Sequence, residues 1–292
     1  MQLDKIQNTS PKIPELIMQS LIGAIEAGHI HVGEELPSER ELAESLGVGR
    51  GSLRECLAIL EFLGAIDGRG NRLVYHLQGC DLACPWCANP EGMPHAGGIG
   101  VSVEALADEA ERCRAMFFDG GGVTFTGGEC TCQFAPLKAA LTLLRQRGIG
   151  TAIETNGTAV RLPELFPLLD ELIMDCKHHD SEIHRRFTGM GNEQIVQNLR
   201  AALTACPCVL VRIPLIHGFN ASAEDMERFA ALFGQCDGAR IRFELLPYHE
   251  YGREKWEKCG RPYTFRDGFV TEEERQRYEQ ILRSHGLSVV HT

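Results

Sequence analysis

Three cysteines in one short loop are the residues of this 292-residue chain best suited to chemistry. Cys80, Cys84 and Cys87 lie in the stretch Gly-Cys-Asp-Leu-Ala-Cys-Pro-Trp-Cys. Cysteine thiolates hold four-iron clusters, normally one per iron, so a local set of three leaves one iron open to another ligand. An open coordination position also separates reactive from structural metal sites. A zinc site is the alternative, with His76 or His95 as the fourth ligand.

Glycines and acids follow the cysteines, at the ends of the next two predicted strands. Gly127 and Gly128 lack side chains, so the backbone there can approach a ligand closely. Glu129 can accept a hydrogen bond from an ammonium group. Glu154 suits the hydroxyls of a sugar or a bound cation. A flexible strand-to-helix turn is the alternative interpretation of the two glycines.

Charged residues also follow or interrupt the later strands. Asp175 and Lys177 end the fourth strand, where the lysine can neutralise a carboxylate. Arg212 interrupts an apolar strand, and a buried arginine must pair with a bound carboxylate or with a structural Asp or Glu. His249, after the last strand, can hydrogen-bond a nucleoside. Each residue alone could be a solvated side chain on a loop, but together they indicate one site.

Alternating strands and helices from residue 72 onward must position these residues. Strands are predicted at 73–77, 122–125, 151–154, 172–175, 209–214 and 241–246, and helices at 103–116, 135–147, 193–205 and 223–233. Such alternation argues for βαβ units and a parallel sheet. Six units are too few for a closed eight-stranded barrel, so the predicted α/β fold is a partial (β/α)6 barrel. Chemistry in such barrels gathers at the carboxyl ends of the strands.

A small, mainly α module precedes the barrel, which gives predicted domains of 1–66 and 67–292. Ser38 and Glu41 have the spacing of a capping box at the start of a helix. Gly-Val-Gly at 47–49 makes a tight turn before another helix with a leucine face. Two helices joined by a short glycine-bearing turn make a helix-turn-helix.

Both modules resemble known families. Leu-Pro-Ser-Glu-Arg-Glu-Leu-Ala at 36–43 and residues 48–64 resemble the winged helix-turn-helix of GntR-type regulators. The cysteine loop and Gly-Gly-Gly-Val-Thr-Phe-Thr-Gly-Gly-Glu at 120–129 resemble radical S-adenosylmethionine (SAM) enzymes. Three further motifs make the chain similar to the glycyl radical enzyme activating enzymes, of the pyruvate formate-lyase activating type. These motifs are Thr-Gly-Met-Gly-Asn at 188–192, Leu-Leu-Pro-Tyr-His at 245–249 and Gly-Arg-Glu-Lys-Trp at 252–256.

The second resemblance implies the chemistry. Cys80, Cys84 and Cys87 would bind a [4Fe-4S] cluster whose open iron chelates SAM. Reduced by a flavodoxin or ferredoxin, the cluster would cleave SAM to a 5′-deoxyadenosyl radical. That radical would take a hydrogen from a backbone glycine of a partner glycyl radical enzyme. The residues implied to contact SAM are Gly127, Gly128, Glu129, Glu154, Lys177, Arg212 and His249, with Asp175 and Glu154 near a monovalent cation.

The segment Asp-Gly-Arg-Gly-Asn-Arg at 67–72 has two interpretations. In GntR-type domains, a glycine-bearing segment after the third helix is the wing. In activating enzymes, Asp-Gly-Pro-Gly-x-Arg opens the first barrel strand near the partner's glycyl loop. One segment cannot easily serve both, so we expect it to serve the barrel, with Asp67 and Arg72 near the partner peptide. Arg69 replaces the proline of the family motif.

DNA binding by the first module also has two interpretations. Arg50, Ser52 and Arg54 could reach a groove from the third helix. However, residues 1–66 carry five Lys and Arg against ten Asp and Glu, a net charge of −5, whereas a DNA reader should show a basic face. A partner-docking or dimerising module is therefore favoured. A regulator that senses redox state through the cluster and SAM is the alternative function.

Composition excludes several classes of protein. The net charge of −11 disfavours non-specific nucleic-acid binding. The sequence shows neither a signal peptide nor an apolar run that spans a bilayer, so a cytoplasmic protein without a membrane partner is expected. Twelve cysteines without an export signal favour metal or redox chemistry over disulfides. Members of the resembled family usually carry Pro or Ala after Gly-Gly-Glu, whereas this chain has Cys130 and then Cys132. These are expected to be core cysteines, and the alternative is contact with the cluster or the electron donor.

Overall fold

The computed structural model describes residues 17, 20, 37–53, 70–117, 120–234 and 241–291. The predicted boundary at 66/67, Asp67 and Arg54 lie outside these residues. Helix α1 (Glu39–Leu46) is capped by Ser38. The Ser38 side chain accepts from the Glu41 N–H, and the Glu41 side chain accepts from the Ser38 N–H, so the predicted capping box is confirmed. Gly47 ends the helix with a left-handed φ of 65°. Residues 50–53 are helical again, as a helix-turn-helix requires.

Six parallel strands form one sheet in chain order. They are β1 (Arg72–Leu77), β2 (Gly122–Gly127), β3 (Gly150–Thr155), β4 (Glu171–Asp175), β5 (Val209–Leu215) and β6 (Ile241–Pro247). Each strand pairs with the next, from Arg72 opposite Gly122 to Leu215 opposite Pro247. Within the described residues β1 does not pair with β6, so the sheet is open between them. The predicted α/β partial (β/α)6 barrel is confirmed.

Helices cover the connections between the strands. Those in the described barrel are α2 (Val103–Arg112), α3 (Phe134–Gln146), α4 (Ser181–Thr188), α5 (Glu193–Ala205), α6 (Ala223–Phe233), α7 (Arg253–Lys258) and α8 (Glu272–Ser284). Helix α2 packs against α3, and α6 packs against α8. The helix predicted at 103–116 is shorter in the structure. The Cys113 N–H donates to the carbonyls of both Glu109 and Ala110, which tightens the last turn, and a 3-10 turn follows at Arg114–Met116.

The strands are buried on both faces, which explains why they read as continuous apolar runs. Every residue of β5 except Pro214 is buried. Strand and helix side chains such as Val123, Leu172, Leu199 and Phe229 share one apolar cluster. Because the strands are parallel, their carboxyl ends meet at one rim of the barrel, and the candidate site residues lie at that rim.

Candidate active site

A cavity of about 240 Å³ opens at the carboxyl ends of the strands. Its lining includes ten of the predicted site residues, namely Cys80, Cys84, Cys87, Gly127, Gly128, Glu129, Glu154, Asp175, Lys177 and His249. Arg212 lies behind them and contacts the Glu154 carboxylate. The structure therefore brings together in one cavity residues that the sequence spreads over five strand ends.

The loop that carries the cysteines is closed at its base by backbone hydrogen bonds. The Gly79 N–H donates to the Gly92 carbonyl (2.8 Å), and the Cys80 N–H donates to the Met93 carbonyl (3.0 Å). Inside the loop, the Cys87 N–H donates to the Cys84 carbonyl (3.2 Å). We call residues 80–94 the cluster loop. These bonds fix the backbone of all three cysteines at the cavity.

The three thiols fit a four-iron cluster better than a zinc ion. Burial raises the pKa of Cys80 to about 11 and that of Cys84 to about 12, so a bound metal must displace protons. Within the described residues, the three Sγ atoms do not form a group lying within 4.8 Å of one another. A tetrahedral zinc with Zn–S bonds of about 2.3 Å would hold its sulfurs about 3.8 Å apart. Neither His76 nor His95 lines the cavity.

Gly127 and Gly128 allow two backbone segments to pack against each other. A Cβ on Gly127, whose φ is 124°, would lie 2.3 Å from the Leu77 nitrogen. A Cβ on Gly128 would lie 2.3 Å from the Gly92 carbonyl oxygen. The lack of side chains therefore serves the contact of β2 with β1 and with the cluster loop. Close approach of SAM to this backbone stays a prediction.

The Glu129 carboxylate is held by protein donors. Its Oε1 accepts from the N–H and hydroxyl of Thr131 (2.9 and 2.5 Å) and from the Thr155 hydroxyl (2.7 Å). Its Oε2 accepts from the Asn156 N–H (2.7 Å). Burial raises the pKa of Glu129, and these hydrogen bonds act in the opposite direction. The carboxylate thus ties the end of β2 to the end of β3, while its contact with SAM stays a prediction.

Arg212 bridges two carboxylates inside the barrel. Its Nη1 donates to Glu154 Oε1 (2.5 Å) and its Nε donates to Glu244 Oε2 (2.9 Å). The second Glu154 oxygen accepts from the Thr126 hydroxyl (3.0 Å). Burial alone would lower the pKa of Arg212, but the charges of Glu154 and Glu244 raise it. The structure thus shows the pairing with structural carboxylates, and a contact of Arg212 with SAM stays a prediction.

Asp175 and Lys177 form an ion pair at the end of β4. Burial alone would lower the pKa of Lys177, but the neighbouring Asp175 and Cys84 raise it, so the ammonium stays charged in the cavity wall. A bound carboxylate can take the place of Asp175 as its partner. Glu154 and Asp175, the two residues predicted near a monovalent cation, each already contact a cationic side chain. The cation stays a prediction.

His249 lies at the cavity rim, two residues after β6. Its ring stacks on Tyr251, with centroids 4.3 Å apart and 20° between the planes. Burial lowers the pKa of His249, so the imidazole is neutral at neutral pH. Its Nδ1 accepts from the Tyr251 N–H (3.4 Å), so Nε2 carries the proton and is left as a donor. A hydrogen bond from His249 to a nucleoside stays a prediction.

Arg72, predicted near the partner peptide, lies at the rim opposite the cavity. It begins β1, is buried, and donates to the Thr124 hydroxyl (2.6 Å) and the Val123 carbonyl (2.8 Å). These bonds hold the floor of the barrel, and a peptide contact stays a prediction. Of the candidate DNA contacts within the described residues, Arg50 is exposed and Ser52 is half-buried.

The two additional cysteines lie in different environments. Cys130 is buried in the core, with its Sγ 3.4 Å from the Glu154 carbonyl oxygen. Cys132 is exposed. Burial raises the pKa of both thiols, that of Cys132 to about 12. Neither lines the cavity, so the core interpretation fits Cys130, while Cys132 stays a candidate contact for the electron donor.

The sequence reasoning gave no role at the cluster loop to several residues that hold it, although Trp256 ends one of its motifs. The Asp81 carboxylate accepts from the Asn156 amide (2.8 Å) and from the Thr158 hydroxyl. On another side, the Trp256 indole N–H donates to the Cys87 carbonyl (2.8 Å). These contacts join residues 75 to 169 positions apart, so no periodicity marks them. The only indication in the sequence was the position of these residues beside known features: Asp81 directly follows Cys80, and Asn156 directly follows the end of β3.

A second group of side chains has residue types that bind metals, but both ring nitrogens of His178 in that group are engaged in hydrogen bonds. His178, His179 and Asp225 converge within 4.8 Å. However, His178 Nδ1 accepts from the Asp180 N–H (2.9 Å), so its Nε2 carries the proton and donates to the Phe219 carbonyl (3.0 Å). This group is a hydrogen-bonded support for the start of α4.

Comparisons with known proteins agree with this geometry. The sequence model of the radical SAM superfamily matches residues 74–230, and that of the gntR family of bacterial regulatory proteins matches residues 15–72. The pyruvate formate-lyase-activating enzyme of Clostridium pasteurianum is 33% identical over 227 residues, which cover 77% of this chain and 95% of that protein. The pyruvate formate-lyase 1-activating enzyme of Escherichia coli K12 is 31% identical over 237 residues, covering 79% and 96%.

A solved structure is similar in fold. SuiB of Streptococcus suis, crystallised with S-adenosylmethionine, gives a TM-score of 0.60 at 14% identity, covering 93% of this chain and 60% of that one. At this identity the similarity concerns the fold alone.

The thiol-lined cavity on an open parallel barrel defines an enzyme that uses a [4Fe-4S] cluster and SAM. The chain belongs to the radical SAM superfamily and, within it, to the pyruvate formate-lyase activating enzymes, with a GntR-type domain at its N-terminal end. The GntR match runs to residue 72, where β1 begins, and the radical SAM match begins at residue 74. Among the described helices, none is both long and apolar enough to cross a membrane.

Proposed function

We propose that this enzyme removes a hydrogen atom from a backbone glycine of a partner glycyl radical enzyme and leaves a glycyl radical there. The observation that carries the proposal is the similarity to activating enzymes over nearly their whole length. The cavity that joins the three thiols to His249 supports it. Pyruvate formate-lyase is the first partner to test.

The residues around the cavity have distinct tasks in this reaction. Cys80, Cys84 and Cys87 would hold the cluster, which would supply one electron, received from a flavodoxin or ferredoxin, for cleavage of the C5′–S bond of SAM into methionine and a 5′-deoxyadenosyl radical. Lys177 binds the SAM carboxylate, and His249 hydrogen-bonds the nucleoside. Glu154, held by Arg212 and Thr126, faces the sugar hydroxyls. The radical then takes one hydrogen from the glycine Cα and becomes 5′-deoxyadenosine.

The open side of the barrel supports a peptide substrate. Within the described residues, β1 and β6 do not pair with each other, and both strands lead to residues that line the cavity. Strand β6 is also bridged at Phe243 by Val289, so its edge is partly covered. A backbone glycine suits such an approach, because without a Cβ it can lie close to the reacting atoms.

Electron paramagnetic resonance tests this proposal. Reconstituted, reduced enzyme is mixed with SAM and anaerobically purified pyruvate formate-lyase, and the spectrum of an organic glycyl radical on the partner is expected. The signal should disappear with Cys84→Ala in the enzyme or with the target glycine replaced by alanine in the partner. If SAM is cleaved but neither pyruvate formate-lyase nor any other glycyl radical enzyme gains the signal, the proposed function is wrong.

We propose that the GntR-type domain docks a partner or a second copy of the chain rather than DNA. The support is the net charge of −5 over residues 1–66, since phosphate contacts supply most non-specific affinity. In a gel-shift assay at about 150 mM salt, with DNA from the gene's own locus, we expect no sharp band that specific competitor removes. Such a band would instead support the alternative, a regulator that uses the cluster and SAM as sensors.

A further inference from the structure

Helix α7 packs against the cluster loop. The indole N–H of Trp256 donates to the Cys87 carbonyl (2.8 Å), and Trp256 itself is buried. Just before the helix, a Cβ on Gly252 would lie 2.4 Å from the same carbonyl oxygen. The backbone of a cluster-binding cysteine is thus held by a segment 169 residues further along the chain.

Contacts beyond Cys87 extend this attachment. The Lys255 ammonium donates to the Asn89 side-chain oxygen (2.7 Å) and lies 3.2 Å from the Glu91 carboxylate. The Arg261 guanidinium covers the Trp256 ring at 4.5 Å. We call residues 252–258 the clasp. It contacts the cluster loop at Cys87, Ala88, Asn89 and Glu91.

The clasp also lies next to the SAM side of the cavity. Helix α7 begins four residues after His249, the residue that faces the nucleoside. Strand β6 therefore leads through one short segment from the nucleoside contact to the carbonyl of Cys87. Nothing in the reaction itself requires Trp256 or Lys255, because neither lines the cavity.

We propose that the clasp is a positioning element for the cluster, with Trp256 as its central residue. Trp256 fixes the turn in which the Asn89 N–H donates to Cys87 Sγ (3.4 Å). Hydrogen bonds to the sulfurs are among the factors that set the reduction potential of an iron–sulfur cluster. A donated N–H stabilises the extra negative charge of the reduced state, so the clasp keeps the potential higher. This inference rests on the cluster and does not depend on which partner is activated.

The test is Trp256→Phe, which keeps an aromatic ring and removes the N–H donor. Without cluster, hydrogen–deuterium exchange of the amides in residues 87–93 should become at least threefold faster. With cluster, redox titration should show at least a threefold lower ratio of reduced to oxidised protein at a fixed potential. A threefold change in this ratio corresponds to a shift of about 28 mV in the reduction potential of a one-electron couple.

Two further variants make the outcome decisive. Lys255→Met removes the second attachment and should change exchange and potential in the same direction, which keeps the test valid if Trp256→Phe does not fold. Glu254→Gln, an exposed position on the same helix, should leave both quantities unchanged. If exchange in the cluster loop and the potential match those of the wild type in both Trp256→Phe and Lys255→Met, the proposal is wrong. Loss of glycyl radical formation with an unchanged potential would also overturn it.

Discussion

Each buried charge described at this site has a specific partner. Arg212 pairs with Glu154 and Glu244, and Lys177 pairs with Asp175. Removing a charge from water costs several kcal/mol unless a partner and hydrogen bonds compensate. These pairs therefore keep the cavity wall charged before SAM enters. The sequence predicted that Arg212 must pair with a carboxylate but did not identify its partners, because Glu244 lies in the apolar run of β6 and carries no motif of its own.

Glu129→Gln should destabilise the fold, because its carboxylate accepts hydrogen bonds from buried protein donors. An amide at this position would direct N–H groups at the Asn156 N–H or at the Thr131 N–H, which now donate to the carboxylate. Leaving such a buried donor unpaired costs about 1–3 kcal/mol. Guanidinium unfolding of the cluster-free protein should show a loss of this size.

Glu273→Gln, on the exposed first turn of α8, is the matched control and should change stability by less than about 0.5 kcal/mol. Unchanged stability together with a weaker SAM dissociation constant in Glu129→Gln would contradict the structural role and would place the carboxylate on SAM.

The elements around the site are held by close backbone packing at the rim of the sheet. The cluster loop rests against the end of β2, where Gly128 donates its N–H to the Leu77 carbonyl (3.0 Å) and faces the carbonyls of Gly79 and Gly92. This packing fixes the loop relative to the strands that carry the other site residues. The cavity is therefore formed by tertiary packing as much as by the cysteine spacing.

Gly128→Ala should displace the cluster loop. The new Cβ would lie 2.3 Å from the Gly92 oxygen and 2.4 Å from the Gly79 oxygen, and overpacking of this kind costs about 1–3 kcal/mol. We expect at least a twofold lower iron content after reconstitution. Gly100→Ala is the control, because a Cβ there meets no atom within 4 Å. Equal iron content in both variants would show that the loop does not depend on this contact.

The order and positions of the strands could be predicted because each strand is an apolar run bounded by glycines or charged residues. Predicted 73–77 corresponds to β1 (Arg72–Leu77), and predicted 209–214 to β5 (Val209–Leu215). The clasp and the Asp81 contacts could not be predicted, since they depend on hydrogen bonds between distant segments. The end of α2 also differed, because bifurcated hydrogen bonds at Cys113 depend on local geometry rather than on amphipathic periodicity.

At the scale of the whole molecule, modules of two different families share one chain. The GntR match ends at residue 72 and the radical SAM match begins at residue 74, within the first residues of β1. The acidic balance of the chain, with a net charge of −11, favours protein partners over nucleic acid. Both features fit an enzyme whose N-terminal domain helps to bring a large protein substrate to the open side of the barrel.

The central claim is that the hydrogen taken by this enzyme comes from a glycine of its partner. The most direct measurement uses a partner enzyme labelled with α-deuterated glycine, followed by mass spectrometry of the 5′-deoxyadenosine formed from unlabelled SAM. We predict that the product gains one deuterium and that the gain disappears when the target glycine is replaced by alanine. 5′-Deoxyadenosine that forms in the same amount but carries no deuterium would contradict the account.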